Sequence, residues 1–440
     1  MKNRIKNLLF VLPVLLMLMP LVQQFFNIPR IKPLKGSYSV PVKPKWNWRN
    51  FLNSTFQDSM NVYLEHHIGY RPDLVRLYNQ FRYTIFDTVV AQGVIIGKEG
   101  YLFEHNYIKA LYGLDYVGDQ TLANDIQQAA FVADWLQKQN KHLIVFLAPG
   151  KASYFPEFVP DKFKPETIGI RNVDAYYDQL KAHNISVING NKWFTALKDS
   201  ARFALYPKCG IHWSYYGVGL ALDSLISTMA QLRAEPWLEF GMTNIEVSSK
   251  LRSPDRDLWE GMNIFSRPND YPMPYPDFYF QKIANATPPN VIVVADSYYW
   301  QLFGSGYAQR SFGNNSFWYY NQQVIAGDGS GDVDRSHVDI LLRVMETDFI
   351  VLMQTDATLP RFSFGFVGEL YEAINRENSY TKQELEEIQD IISRIRANDA
   401  YMEMIHEKAV QRNISTEEML RLDALWVFEH EKEKRKNGSQ

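Results

Sequence analysis

The sequence predicts an α/β fold: a largely parallel sheet with flanking helices, an N-terminal membrane anchor and a C-terminal helical extension. Three observations predict it. Residues 143–147 (LIVFL), 185–188 (ISVI), 291–295 (VIVVA) and 348–353 (DFIVLM) are short apolar runs rich in β-branched side chains, as in strands buried on both faces. Helical patterns at 124–140 and 173–184 precede two of these runs, and such alternation gives βαβ units and a parallel sheet. Residues 8–26 are mostly apolar and uncharged and follow Lys2, Arg4 and Lys6.

That first segment is long enough to cross a bilayer, and its basic flank places the N-terminus in the cytoplasm and the remainder outside. A cleavable signal peptide is the alternative, although no small-x-small cleavage site follows the apolar run. Residues 27–49 carry Pro29, Pro33, Pro41 and Pro44 and read as an extended tether. Between 50 and 87 the pattern is helical, with Leu64, Ile68, Leu74, Leu77, Tyr78, Phe81 and Ile85 recurring at spacings of three and four. His66 and His67 are adjacent, so they face different ways on a helix and read as structural or surface groups.

Residues 94–104 (VIIGKEGYLFE) form a hairpin around Gly97 and Gly100. The segment 236–289 is rich in Pro, Asp and Asn and reads as a long looped insertion walling a site. Residues 298–325 are dense in aromatics. Residues 362–372 give an aromatic turn and a short helix. The charged stretch 382–434 reads as two or three helices, with Ser415 and Glu418 set to form a capping box and a terminal tail beyond 432. The domain organisation is therefore an anchor (1–26), a tether (27–49), a catalytic-type domain (50–375) and a helical extension (376–440). The extension is either a packed helical group or a docking element for a membrane partner.

Composition excludes some functions. The formal net charge is -3, which offers no basic surface for nucleic acid. The single cysteine, Cys209, excludes an intrachain disulfide and a cysteine-only metal cage. A calcium-loop likeness at 329–334 lacks the spacing and the closing Glu. Aromatic residues make up 14% of the chain, and Tyr and Trp suit carbohydrate surfaces as well as cores.

The chemistry-bearing stretch is 290–300 (NVIVVADSYYW). Ser297 follows a buried strand, where open α/β sheets place reacting groups, and backbone N–H groups at that turn can hold an oxyanion. Asp296 or Ser297 can equally be a helix cap. His212, in a loop just before a helical pattern at 218–232, can serve as the base for Ser297, or can simply bond a backbone carbonyl. Trp213 reads as packing. Lys151, after the strand at 143–147, is either a site-lining group or a surface lysine.

The stretches VIIGKEGYLFE (94–104), LAPGKASYFPEFVP (147–160), GIHWSYYG (210–217) and VADSYYW (294–300) occur in an order that resembles the SGNH-hydrolase-like alginate O-acetyltransferases of the AlgJ/AlgX type, also called DHHW proteins. IGYRPDLVRLYNQF (68–81) resembles the segment before their hairpin. The likeness runs over roughly residues 50–368. It implies a flavodoxin-like SGNH-hydrolase fold and an O-acetyltransferase acting on an exported polysaccharide outside the cytoplasmic membrane. A membrane-bound O-acyltransferase would supply the acetyl groups, and no metal or cofactor would be needed. By motif, the family serine falls on Ser297 and the histidine on His212.

The family aspartate two residues before that histidine is Gly210 here. A third member would then come from elsewhere, with Asp255, Asp257, Lys151 and Asp296 as candidates; loss of activity is the other consequence. Tyr299, Trp300, Trp318 and Tyr320 are candidate glycan contacts. Two further functions fit the same residues: a glycan esterase with water as acceptor, and a non-catalytic glycan-binding subunit of an export complex.

Overall fold

The computed structural model describes residues 2–36, 40–266 and 269–437. The chain divides into two compact units. One comprises Met1–His105, Lys208–Ile211 and Arg252–Tyr271; the other comprises Asn106–Pro207, His212–Leu251 and Pro272–Gln440.

The first unit begins with helix α1 (Lys2–Phe26), followed by α2 (Thr55–His67), α3 (Arg71–Phe86) and an antiparallel hairpin of β1 (Val94–Ile96) and β2 (Leu102–Glu104). Ile5–Phe26 of α1 has a mean hydropathy of 2.2. Gly69 separates α2 from α3, and Pro72 stands in the first turn of α3, where its missing N–H is harmless. The tether is not a free linker. The Arg76 guanidinium donates to the Lys32 and Pro33 carbonyls at 2.8 and 2.7 Å, and the Asn263 amide exchanges two hydrogen bonds with the Lys35 backbone. Side-chain donors thus take carbonyls that a proline-rich backbone leaves unpaired. His66 and His67 lie with Nδ1 2.9 and 2.8 Å from the carbonyls of Val62 and Tyr63, consistent with structural roles.

The second unit holds α4 (Asp119–Lys138), β3 (His142–Ala148), α5 (Asn172–Ala182), β4 (Ser186–Asn189), α6 (Tyr215–Arg233), β5 (Leu238–Ser248), β6 (Met273–Lys282), β7 (Val291–Ala295), β8 (Asn315–Tyr319), β9 (Gln323–Ala326), β10 (Asp332–Asp334) and β11 (Phe349–Thr355). The main sheet runs β10-β9-β8-β7-β11-β3-β4. It is parallel from β8 to β4, and β9 and β10 add antiparallel at one edge. All five residues of β7 and all seven of β11 are buried, which explains the unbroken apolar runs 291–295 and 349–353. Val132, Val145, Val294, Leu352 and Leu370 belong to one apolar core. This is the predicted α/β fold with a helical C-terminal region.

Three local readings differ. The segment 236–289 is not mainly loop: β5 and β6 pair as a long antiparallel hairpin, in register from Leu238↔Lys282 to Ser248↔Met273 with one shift. Pro274 and Pro276 hid its alternation, and a two-stranded sheet tolerates them because each strand has a free edge. The aromatic segment after Ser297 contains β8 and β9. The final strand in sequence, β11, is central in space, between β7 and β3.

Helix α7 (Phe366–Ser379) precedes three helices, α8 (Lys382–Arg396), α9 (Asp399–Arg412) and α10 (Thr416–Asn437). Ile391, Ile405, Leu420 and Phe428 form their own core. Part of the expected terminal tail continues α10; residues 438–440 lie outside the described residues. Ser415 accepts from the Glu418 N–H at 3.1 Å, but the Glu418 carboxylate does not close the expected capping box. It accepts from the Asp339 N–H at 2.9 Å and from Arg343 at 2.7 Å. Arg421 bridges Asp339 and Glu377 at 2.8 and 2.9 Å. These ionic contacts fasten α10 to the sheet-bearing unit.

Glu418 is fully buried, so removing its carboxylate strands both the Asp339 N–H and Arg343. Glu418→Ala is expected to destabilise the protein by roughly 3 kcal/mol, read as a lower midpoint in urea denaturation, with Arg343→Lys milder.

Candidate functional site

The site starts from strand β7. Its apolar residues end at Ala295, and the chain turns through a 3₁₀ segment, Ser297–Tyr299, into a short helix. The buried Asp296 carboxylate fixes that turn. One oxygen accepts from the Tyr298 N–H at 3.1 Å. The other accepts from the Thr355 N–H, the Thr355 hydroxyl and the Thr358 hydroxyl, each at 2.9 Å. Thr355 ends β11, so one side chain ties the Ser297 turn to the neighbouring strand. Asp296 therefore caps, as one sequence reading held, and Ser297 is left for other work.

His212 comes from the other side of the fold's sequence. Ser214 opens α6, accepting from the Gly217 N–H at 3.0 Å and donating to the Ala204 carbonyl at 2.7 Å. Trp213 is fully buried, with its ring 6.2, 6.0 and 5.3 Å from those of Phe146, Phe194 and Tyr298. Clamped on both sides, His212 projects its Nε2 to 3.0 Å from the Ser297 Oγ. Its ring also lies 4.9 Å from that of Tyr298. Both His212 and Ser297 are half-buried, which leaves them reachable from solvent. A serine hydroxyl hydrogen-bonded to an imidazole nitrogen is the minimal unit of nucleophilic acyl chemistry.

The other predicted residues fall as follows. Lys151, at the carboxyl end of β3, is wholly buried, which removes the surface-lysine alternative. Tyr299 and Trp318 are also core side chains; Trp318 packs on Phe366, with Arg335 over its ring. Burial takes both away from a glycan. Trp300 is 39% exposed and Tyr320 half-buried, so these two retain accessible surface.

Asp255 and Asp257 belong to the first unit, with Gly210. There the Asp257 carboxylate accepts from the Ile211 N–H at 2.8 Å. A Cβ at Gly210 would meet the Asp255 carbonyl oxygen at 2.6 Å. The backbone at 254–255 thus fills the space that a side chain at 210 would need.

Sequence reading missed a second carboxylate at the same sheet edge. Asp356, directly after β11, is buried; its Oδ2 accepts from the Ser153 hydroxyl at 2.5 Å and from the Asn191 amide at 3.0 Å. Arg171 reaches the same Ser153 and Asn191 oxygens at 3.1 and 3.0 Å. The Asp356 Oδ1 has no hydrogen-bond partner among the described residues. Burial pushes its carboxyl up to about 6, against the lowering effect of Ser153 and Arg171. The signal was available: like Asp296, it is the first polar residue after a buried parallel strand. Among the described residues no group of three or more His, Cys, Asp or Glu could hold a metal ion.

With this geometry in view, comparisons with known proteins are informative. Residues 94–251 match the family model described as "SGNH hydrolase-like domain, acetyltransferase AlgX". This span includes His212 and ends before Ser297. A probable alginate O-acetylase AlgJ from Pseudomonas syringae pv. tomato is 25% identical over 147 residues, 33% of this chain and 36% of that protein. The chain thus spans about a third of the length of the curated relative it matches. The O-acetyltransferase domain of Pseudomonas putida AlgJ aligns with a TM-score of 0.40 and 15% identity, over 64% of this chain and 99% of that one. Pseudomonas aeruginosa AlgX aligns with a TM-score of 0.40 and 13% identity, over 62% and 67%.

Two expectations follow. Gly210→Asp, which introduces the aspartate of the motif this sequence resembles, will destabilise the chain by on the order of 1–3 kcal/mol, because the added Cβ meets backbone rather than space; thermal melting checks this. The raised Asp356 carboxyl holds a proton in the folded chain that the unfolded chain releases. Its stabilising contribution is complete below about pH 4 and is lost as pH rises through about 6, an order of 3 kcal/mol. Asp356→Asn should flatten this part of a stability-against-pH curve measured by denaturant titration from pH 4 to 8.

Proposed function

We propose that this chain is an extracytoplasmic O-acetyltransferase that acetylates hydroxyls of an exported or cell-surface polysaccharide through an acyl-serine on Ser297. The observation that carries the reading is the 3.0 Å contact between the His212 Nε2 and the Ser297 Oγ at the carboxyl edge of a parallel sheet. The match of 94–251 to the AlgX acetyltransferase domain and the AlgJ likeness support the reaction class and a polysaccharide acceptor.

In the first half-reaction the Ser297 Oγ attacks the acetyl carbonyl carbon while the His212 Nε2 takes the hydroxyl proton. The Tyr298 N–H is committed to the Asp296 carboxylate, which leaves the Ser297 N–H as the donor of this turn for the tetrahedral oxyanion. Collapse breaks the bond to the donor's leaving group, which receives the proton from His212, and the acetyl ester on Ser297 remains. In the second half-reaction His212 takes the proton of a sugar hydroxyl, whose oxygen attacks the ester. The serine leaves and regains the proton. The Asp296 clamp keeps the nucleophile's turn fixed through both steps.

The anchor reading of α1 and a membrane-bound O-acyltransferase as acetyl source belong to the same proposal. The 22-residue apolar span Ile5–Phe26 supports the former. A donor brought across the membrane would then meet an acceptor held outside it.

Mass spectrometry of the protein after incubation with an activated acetyl ester tests the mechanism. An acetyl group on Ser297, discharged faster when an oligosaccharide is added, is expected; discharge by water alone at the same rate would identify an esterase. Ser297→Ala should abolish the adduct and lower turnover by at least about 10³-fold. His212→Ala should do the same with the fold unchanged by circular dichroism. Full activity in Ser297→Ala would overturn the assignment.

A further inference from the structure

Helix α3 is amphipathic in the inverse sense. Its polar side faces inward: Asn79 is buried and donates to the Met262 carbonyl at 2.9 Å, and Gln80 accepts from the Phe265 and Ser266 N–H groups at 2.9 and 2.8 Å. On that side Arg76 holds the tether and Tyr83 packs edge-on against Trp259. The apolar side faces outward. Leu74, Leu77, Tyr78, Phe81 and Ile85 form one stripe by their three- and four-residue spacing, and each is between 52% and 60% exposed. On α2, Val62 and Leu64 are likewise exposed. A stripe of this kind on a water-soluble surface is unfavourable unless something apolar covers it.

Three features of the first unit indicate what covers it. The first is depth. The corner between α2 and α3 is seated on α1. The Tyr70 N–H donates to the Gln23 side chain at 3.2 Å, and a Cβ at Gly69 would lie 1.9 Å from the Pro20 carbonyl oxygen, so only glycine allows the approach. Ile5–Phe26 spans about 33 Å at the α-helical rise, close to the roughly 30 Å hydrocarbon core of a bilayer. Pro20 and Gln23 lie within about 9 Å of its outer end, in the outer acyl region just beneath the headgroups. Gln23, a polar residue in the apolar span, is buried there and also donates to the Pro29 carbonyl at 3.1 Å.

The second feature is charge. Residues 27–57 contain Arg30, Lys32, Lys35, Lys43, Lys45 and Arg49 and no acidic residue, which complements anionic lipid headgroups. The third is residue type. Trp46 and Trp48, in mutual ring contact at 4.8 Å, are exposed, as are Phe51 and Leu52, and tryptophan concentrates at membrane–water interfaces.

We propose that the tether and the outward faces of α2 and α3 lie in the headgroup region of the bilayer crossed by α1, with the stripe from Leu74 to Ile85 dipping into the acyl boundary. The occupant of the apolar face is lipid. This deepens the anchor reading of α1, on which it rests, by making residues 27–36 and 40–86 an in-plane membrane platform. An interfacial helix with basic neighbours and a buried apolar face has the physics of monotopic binding.

The test uses the full chain reconstituted into vesicles of phosphatidylcholine and phosphatidylglycerol. Nitroxide labels are placed singly at Leu77→Cys and Phe81→Cys on the stripe and at Lys382→Cys on α8 as a water-exposed control; the native Cys209 is buried. Power saturation then compares relaxation by oxygen, which partitions into lipid, with relaxation by a water-soluble nickel chelate. Oxygen preference at 77 and 81 with nickel preference at 382 is the expected result. Nickel preference at all three sites overturns the platform. Labels that are wet on protein-free vesicles but shielded in cell membranes assign the stripe to a protein partner and also overturn the lipid assignment. Alkaline carbonate extraction of the same vesicles reports separately on α1. A chain that resists extraction while its stripe stays wet keeps the anchor and loses the platform. An extractable chain whose stripe still prefers oxygen loses the anchor and keeps the platform.

Discussion

The Asp296 carboxylate is the constraint on which the candidate site depends. It accepts four hydrogen bonds, two from backbone N–H groups and two from threonine hydroxyls. Four donors satisfy a buried polar group that would be unfavourable without them. They also couple two strands that meet only through the sheet: the turn after β7 cannot shift without breaking contacts to the end of β11. Ser297, the next residue, inherits this rigidity. Asp356 shows the contrast at the same sheet edge. With two donors and one oxygen unpartnered among the described residues, its carboxyl is pushed up by burial.

Much of this was legible in the sequence. Buried parallel strands write themselves as β-branched runs, so β3, β7 and β11 could be read directly, and with β7 came Ser297. A histidine just before a capped helix marked His212. What could not be read has identifiable physical causes. Periodicity reveals that a helix has a stripe but not which way the stripe points, so the outward apolar face of α3 was invisible. In strands covered on both sides, alternation carries no direction, so Trp318 looked available when it is core. Proline masked the β5–β6 hairpin. A single aspartate after β11 has no sequence partner to flag it, because Ser153, Asn191 and Arg171 come from distant segments.

Gly210 stands where the proteins this sequence resembles carry an aspartate, and it leaves no hole. The neighbouring chain at 254–255 occupies the volume of the absent side chain. Sequence comparison registers such a position as a missing acid, whereas packing registers it as a position that admits only glycine. The surrounding backbone has closed over it, and the Asp257 carboxylate pins the adjacent Ile211 N–H.

The main sheet ends in two short strands, the three-residue β10 and the four-residue β4. On β10 the side chains flanking Val333 are Asp332 and Asp334, both exposed. An unpaired strand edge invites another chain to add to it, and shortness plus paired negative charge discourages that. The acidic border of the sheet therefore opposes the approach of a second copy's edge, and with it the growth of a continuous β-structure.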